Sequence, residues 1–201
     1  MKLGRRYAAH GITTHPPGQY FDQLSDLYAG KLLMVMDRSA SMKGRRLREA
    51  VAGACDLLGQ AINESYIVGA VSFSGNARLE LDLTTDPRAV ERALKRLDID
   101  WTGTMMSQGI SLAHRLLLKR RGERVIAIFS DGEDQNPTAA LAAAAAARRD
   151  EIRIIAALGG SADPRFMREI TGEGEDPEVV NDRQVREKIA GMAALLRPTW
   201  R

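Results

Sequence analysis

The chain has one cysteine, few aromatic residues and no long apolar run in its 201 residues. A single cysteine, Cys55, excludes an intramolecular disulfide framework and suits a reducing compartment. The apolar run that contains residues 141–147 is far shorter than the roughly 18 apolar residues that a membrane-spanning helix needs. Aromatic residues make up 5% of the chain, too few for a basic stripe with interleaved aromatic side chains. We therefore expect neither an integral membrane protein nor a nucleic-acid binder.

Charge is nearly balanced, with 29 basic and 26 acidic residues and a formal net charge of +3. Basic residues cluster at 43–48 and 119–124, and acidic residues cluster at 131–134 and 173–178. Such clusters are typical of solvated helix ends, where arginines near the C-terminus complement the helix dipole. Together with 44% hydrophobic residues, this composition predicts a soluble globular protein.

The first 30 residues lack sustained hydrophobic periodicity. Arg5 and Arg6 are compatible with a twin-arginine export signal, but no apolar segment of the required length follows them. We therefore expect a cytoplasmic protein in which residues 1–30 form an arm packed on a domain of residues 31–201. Docking on a partner is the alternative role for the amphipathic stripe of this arm, which consists of Tyr20, Phe21, Leu24, Leu27 and Tyr28.

From residue 31 onward, apolar runs typical of buried strands alternate with segments of helical periodicity. Residues 66–73 and 77–83 predict a hairpin, because a Ser-Gly-Asn turn separates them. This alternation predicts an α/β fold with a doubly wound, mostly parallel sheet and helices on both faces. The other predicted strands are 32–36, 124–129, 152–158 and, more weakly, 178–181.

Three polar segments lie beside these apolar elements, at residues 37–42, 101–104 and 130–134. In a doubly wound sheet, function gathers at the carboxyl ends of the strands. Each segment alone is explained by a helix cap or a turn, since Ser, Thr and Asp are favoured there. Their combination favours a site, because capping does not require an aspartate after two separate apolar strands.

A hard divalent cation accounts for this combination of side chains. Mg²⁺ prefers about six oxygen ligands, and Asp37, Ser39 and Ser41 can present three oxygens from one loop. Thr104 and Asp131 can complete the set from two neighbouring loops, and the absence of histidine and cysteine argues against zinc or copper. Two carboxylates only just neutralise a dication, which leaves it open to a carboxylate of another molecule. We predict these five residues as ligands of Mg²⁺, with Mn²⁺ or Ca²⁺ as alternatives.

These residues resemble the metal-ion-dependent adhesion site of von Willebrand factor type A (vWA) domains. The matching pieces are the Asp-x-Ser-x-Ser motif at residues 37–41, Gly103-Thr104, and the Ser-Asp-Gly at residues 130–132. The resemblance implies a six-stranded sheet of order 3-2-1-4-5-6 with strand 3 antiparallel, and a metal where strands 1 and 4 diverge. It also implies that the hydroxyls ligate directly, that the aspartates often act through water, and that a partner's Glu or Asp completes the shell.

The function implied by this resemblance is a metal-dependent protein-interaction module, and intracellular bacterial relatives commonly work with AAA+ ATPases of the MoxR or chelatase type. The alternative is a Mg²⁺-dependent hydrolase or phosphoryl-transfer enzyme, which needs a positioned base or nucleophile. His10 and His15 lie in the arm, His114 falls on a later helix, and no phosphate-binding loop is present. We expect no enzymatic activity, although Arg38, Glu133 and Asp134 stay open as catalytic helpers.

Arginines adjoin the predicted metal site. Arg38 lies inside the motif, where it is placed to attract an acidic partner. Arg45, Arg46 and Arg48 follow the motif, and they either rim the recognition face or line the solvent side of the first helix. The solvent-side interpretation is favoured, because long arginine side chains commonly extend along a helix surface into water.

Overall fold

The computed structural model describes residues 28–131, 134–158, 163–172, 178–179 and 185–196. Residues 1–27, and with them most of the predicted arm, lie outside this description. Of the amphipathic stripe, only Tyr28 is described, and its side chain is 70% exposed. Among the helices described, none combines the length and apolar character needed to cross a membrane.

The strands form one sheet in the order β3-β2-β1-β4-β5-β6. Neighbouring strands are parallel except for β3, which runs antiparallel to β2. Five strands have full length, in the predicted order 3-2-1-4-5, and the sixth is only a two-residue segment paired with β5. The strands are β1 (Gly30–Asp37), β2 (Tyr66–Phe73), β3 (Ala77–Thr84), β4 (Arg124–Ser130), β5 (Arg153–Leu158) and β6 (Glu178–Val179).

Helices cover both faces of the sheet, as the alternation of elements predicts. Residues of α1, α2 and α6 pack in one apolar cluster, and residues of α3, α4 and α5 pack in the other. Short 3₁₀ turns follow β1, at Ala40–Met42, and α6, at Met192–Leu195. The helices are α1 (Arg45–Asn63), α2 (Pro87–Lys95), α3 (Met106–Leu117), α4 (Pro137–Arg149), α5 (Pro164–Thr171) and α6 (Val185–Gly191).

Burial on both faces explains the continuous apolar run of β1. All eight of its residues are buried. Because successive side chains point to opposite faces, Met34 packs in one cluster while Leu33 and Val35 pack in the other. Burial also explains the alanines of α4. Ala140 and Ala144 are fully buried, and their small side chains allow this helix to pack closely.

The topology places the ends of β1 and β4 side by side at the point where the chain connections diverge. Met36 of β1 is in register with Phe129 of β4, so Asp37 and Ser130 become neighbours across the sheet. From here β1 continues through α1 on one face, and β4 continues through α4 on the other. Ligand sites of open α/β sheets lie at this kind of switch point.

Candidate metal centre

Asp37 is the buried anion of this edge of the sheet. It is the last residue of β1 and has no exposed surface. Ser130 Oγ donates to Asp37 Oδ2 at 2.6 Å, and the Ser39 N–H donates to Asp37 Oδ1 at 2.8 Å. Burial raises the pKa of the Asp37 carboxyl, against the opposing effect of these hydrogen bonds. Ionisation of this carboxyl therefore carries an electrostatic cost that a bound cation would offset.

The hydroxyls of Ser39 and Ser41 continue from Asp37 toward a second carboxylate. Their Oγ atoms lie 3.0 Å apart, and Ser41 Oγ donates to Asp131 Oδ1 at 2.7 Å. Because the one hydroxyl proton of Ser41 goes to Asp131, Ser39 is the donor in the bond between the serines. Neither hydroxyl caps a helix: Ser39 precedes the 3₁₀ turn without a side-chain bond to it, and α1 begins after Gly44. The alternative in which Ser41 caps the following helix is thus wrong.

Thr104 lies on the adjoining loop before α3. Gly103 has a φ of +128°, a conformation that favours glycine and that turns the chain between Thr102 and Thr104. The Gln135 N–H donates to the Thr104 carbonyl at 3.0 Å, which fixes this loop against the one that follows β4. Within the described residues, no hydrogen bond joins the Thr104 hydroxyl to the other four predicted ligands. The N-cap position of α3 is Met105, so Thr104 does not cap that helix either.

Arg46 belongs to this site, which the sequence interpretation missed. Its Nη1 lies 2.6 Å from Asp131 Oδ2, and the Asp131 side chain is only 3% exposed. The solvent-side prediction is therefore wrong for Arg46. It agrees with the structure for Arg45, whose side chain is 62% exposed and pairs with Glu49, and for the exposed Arg48. The sequence feature that could have identified Arg46 as part of the site is its position, because it is the second residue of α1 and lies close after the β1–α1 loop.

The oxygen atoms suit a small hard cation. In an octahedral Mg²⁺ site with bonds of about 2.1 Å, adjacent ligand oxygens are about 3.0 Å apart. The spacings of 3.0 Å between Ser39 and Ser41 and 2.7 Å between Ser41 and Asp131 are close to this value. Over the described ranges, no three His, Cys, Asp or Glu side chains form a metal-binding group, so a metal here needs the hydroxyls as ligands.

Comparison with known proteins identifies the fold family. The family model described as "von Willebrand factor type A domain" matches residues 32–133, just over half of the chain. The chain belongs to this family. Domains of the family mediate protein–protein interactions, and membership supports divalent metal binding at the adhesion-site motif. No curated protein matches the chain in sequence.

Solved structures show the same fold at low sequence identity. The vWF domain of the type V pili tip protein Mfa5 from Porphyromonas gingivalis has a TM-score of 0.74 at 12% identity, covering 83% of this chain and 94% of that domain. BatB from Bacteroides thetaiotaomicron has a TM-score of 0.65 at 21% identity, covering 82% and 98%. Proximal thread matrix protein 1 from the mussel byssus, described with a zinc-occupied adhesion-site motif, has a TM-score of 0.71 at 14% identity. The match covers 84% of this chain and 47% of the mussel protein.

The Arg38 side chain of this vWA domain does not face a partner, although its place inside the motif predicted that it would. Its Nη2 lies 2.7 Å from Asp100 Oδ2, and its carbonyl accepts a hydrogen bond from the Asp100 N–H at 2.8 Å. The Arg38 side chain is only 13% exposed. The expectation that Arg38 faces an acidic partner is therefore wrong, because its guanidinium is turned toward the loop before α3 and holds that loop against the β1–α1 loop.

Asp134, one of the candidate catalytic helpers, has a structural role instead, and His114 lies apart from the predicted ligands. Asp134 is 5% exposed, and its two oxygens accept hydrogen bonds from the Met106 and Asn136 N–H groups, both at 2.5 Å. It therefore caps α3 from another loop, a role that the sequence interpretation missed. His114 Nε2 lies 2.6 Å from Asp150 Oδ2, beyond the end of α4, and is not bonded to any predicted ligand. Glu133 lies outside the described residues.

Proposed function

We propose that this vWA domain is a metal-dependent protein-interaction module that binds an acidic side chain of a partner protein. Asp37, Ser39, Ser41, Thr104 and Asp131 would hold the ion, and a Glu or Asp of the partner would complete its shell. The observation that carries the proposal is the line of oxygens from Ser39 through Ser41 to Asp131, beside the buried Asp37. Ser41 is exposed, so this line is open to an incoming group.

Charge supports an anionic partner. Asp37 and Asp131 contribute two negative charges when ionised, and Arg46 contributes one positive charge to the same site. The site therefore carries about −1 without a metal and about +1 with a bound dication. A partner carboxylate is repelled by the first state and attracted by the second, which makes recognition dependent on the metal. The metal supplies a Lewis-acidic position, while the chain supplies the fixed oxygens around it.

We favour Mg²⁺ as the resident ion, with Mn²⁺ or Ca²⁺ as alternatives, because every proposed ligand is a hard oxygen. An AAA+ ATPase of the MoxR or chelatase type is the partner that we infer from the vWA family. A cytoplasmic location and the absence of enzymatic activity stay predictions from the sequence. The engagement of Asp134 and His114 in structural hydrogen bonds supports a non-enzymatic role.

Calorimetry tests the metal and the partner separately. We expect Mg²⁺ to bind the purified protein, and a candidate AAA+ ATPase to bind it in Mg²⁺ but not in EDTA. Asp37→Asn is expected to abolish both interactions. Asp82→Asn is the matched control, because Asp82 is an exposed aspartate on the edge strand β3. Partner affinity that survives both chelation and Asp37→Asn contradicts metal-bridged binding.

A screen for phosphatase and esterase activity in Mg²⁺ or Mn²⁺ tests the enzymatic alternative. We expect no turnover above that of the Asp131→Ala variant. Turnover that disappears in Asp131→Ala contradicts the proposal that the metal serves recognition alone.

A further inference from the structure

Trp101 is an exposed aromatic side chain on the metal-binding edge of the sheet. Its exposed fraction is 67%, and the other exposed large apolar residues of the described chain lie elsewhere: Tyr28 before β1, Leu79 within β3 and Leu118 after α3. A single exposed apolar residue is ordinary on a protein surface. The position of Trp101 and the rigidity of its backbone distinguish it from the others.

The backbone on both sides of Trp101 is fastened to neighbouring loops, to the β1–α1 loop on one side and to the turn between β2 and β3 on the other. On one side, Asp100 is held by the Arg38 guanidinium and carbonyl described above. On the other side, Thr102 Oγ1 accepts a hydrogen bond from the Gly75 N–H at 3.1 Å, and a Cβ on Gly75 would lie only 2.6 Å from the Thr102 carbonyl oxygen. Hydrogen bonds from Thr102 and Ser74 hold the pKa of Asp100 below its ordinary value, so the Arg38–Asp100 pair stays charged at neutral pH.

Lys43 places the indole ring beside the β1–α1 loop. Its Nζ lies 5.2 Å from the centroid of the Trp101 ring, within the range of a cation–π interaction. Lys43 is only two residues after Ser41, and Trp101 is three residues before Thr104, so the ammonium group and the ring both belong to loops that carry proposed ligands. A rigidly presented tryptophan loses little conformational freedom when a partner covers it.

The charges near Trp101 and Lys43 favour an acidic segment of a partner protein. Residues 37–48 contain five basic side chains and a single acidic one, Asp37, which is buried. Lys43, Arg45 and Arg48 are exposed. Tryptophan and arginine are enriched among the residues that dominate binding energy at protein interfaces.

We propose that Trp101 and Lys43 form a second contact surface that takes an apolar side chain from the same acidic segment whose carboxylate binds the metal. This inference rests on the proposed function, and it specifies the partner motif: an Asp or Glu with an aliphatic or aromatic residue close to it in sequence.

Selection from a displayed library of random heptapeptides, on the 201-residue chain loaded with Mg²⁺, tests the inference without a known partner. We expect the enriched peptides to combine an acidic residue with a Leu, Ile, Phe or Trp. Synthetic copies of these peptides should bind Trp101→Ala at least about tenfold more weakly than the unmodified protein, because truncation of a central aromatic contact has effects of this size. Calorimetry should give the same Mg²⁺ affinity for both proteins.

Leu118→Ala is the matched control, since it truncates another exposed apolar residue, at the opposite end of α3. It should leave peptide affinity unchanged. Acidic peptides that need Mg²⁺ but bind Trp101→Ala normally overturn this inference and leave the proposed function standing. Enriched peptides that bind equally in EDTA and to Asp37→Asn overturn the proposed function, and with it this inference. A selection that enriches no acidic sequence contradicts both.

Discussion

The ion pair between Arg46 and Asp131 predicts that Arg46→Gln strengthens metal binding. Arg46 and a metal compete for the same carboxylate, whose Oδ2 lies 2.6 Å from the guanidinium. A dication held by Asp131 would be roughly 5 Å from this guanidinium, and at that separation in a nearly aqueous medium the repulsion is about 2 kcal/mol. The aqueous value applies because the Arg46 side chain is 35% exposed. About 2 kcal/mol corresponds to roughly a 30-fold gain in Mg²⁺ affinity in Arg46→Gln.

The same substitution should destabilise the metal-free protein. Asp131 is almost completely buried, and without Arg46 its only remaining hydrogen-bond donor among the described side chains is Ser41. Removing one partner of a buried ion pair leaves an uncompensated charge, and we expect a loss of about 1–3 kcal/mol in EDTA. Added Mg²⁺ should therefore raise the melting temperature of Arg46→Gln more than that of the unmodified protein.

Isothermal titration calorimetry with Mg²⁺ and thermal melts with and without EDTA measure these effects. Arg45→Gln is the matched control, because it removes the same charge from the preceding residue, which is exposed and pairs with Glu49 instead. We expect Arg45→Gln to change Mg²⁺ affinity by less than about threefold, since exposed and distant charges are screened. Equal Mg²⁺ affinities for the two variants, or weaker binding by Arg46→Gln, would refute the reasoning.

Three further predictions address individual carboxylates. Asp37→Asn should lower Mg²⁺ affinity by at least about tenfold. The metal-free variant should be as stable as the unmodified protein, or more stable, in a thermal melt, because the substitution removes a buried charge. A large loss of stability in EDTA would contradict this expectation. Asp134→Ala should lower the free energy of unfolding in urea by about 2–4 kcal/mol, since two backbone N–H groups lose their acceptor. Asp163→Ala is the comparison: it removes an exposed helix cap and should lower the same free energy by only about 1 kcal/mol. Hydrogen bonds from Thr102 and Ser74 lower the pKa of Asp100, which stabilises the fold above the unfolded value near 3.8, and this contribution is lost as the pH falls through the folded value. Asp100→Asn should flatten the acid side of the stability profile, and an unchanged profile would contradict these hydrogen bonds.

The sequence was sufficient to predict those parts of the fold that depend on local patterns. The residues of β1 form a continuous apolar run because both faces of the strand are covered, and this run identifies a central strand. Asp86 and Asn136 precede prolines, a pattern typical of the first residues of helices, and they accept hydrogen bonds from the first turns of α2 and α4. The strand order came from the resemblance to vWA domains, because periodicity alone does not determine which strands are neighbours.

Predictions failed where a side chain acts across loops that are distant in sequence. Arg46 reaches Asp131, 85 residues away, and Asp134 reaches the N-terminus of α3, 28 residues away. The direction of Arg46 depends on the 3₁₀ turn after β1 and on Gly44, whose φ is +81°. Helical periodicity gives the spacing of side chains along α1, but it does not give the rotation of the helix relative to these loops.

The two carboxylates and the guanidinium of the site are held in different ways, and this difference suits an interaction that depends on a metal. Asp37 is the last residue of β1 and is in register with Phe73 of β2, and Asp131 directly follows β4, so the sheet fixes the backbone that carries both carboxylates. Arg46 reaches the site through a long, partly exposed side chain, which can move aside while the backbone stays in place. Binding of a metal at Asp131 would therefore involve rearrangement of this one side chain, and the dication would add two positive charges where a partner carboxylate would enter. Under this mechanism the two carboxylates keep their positions at the edge of the sheet, and the affinity for an acidic partner depends on whether Asp131 is paired with Arg46 or with a metal ion.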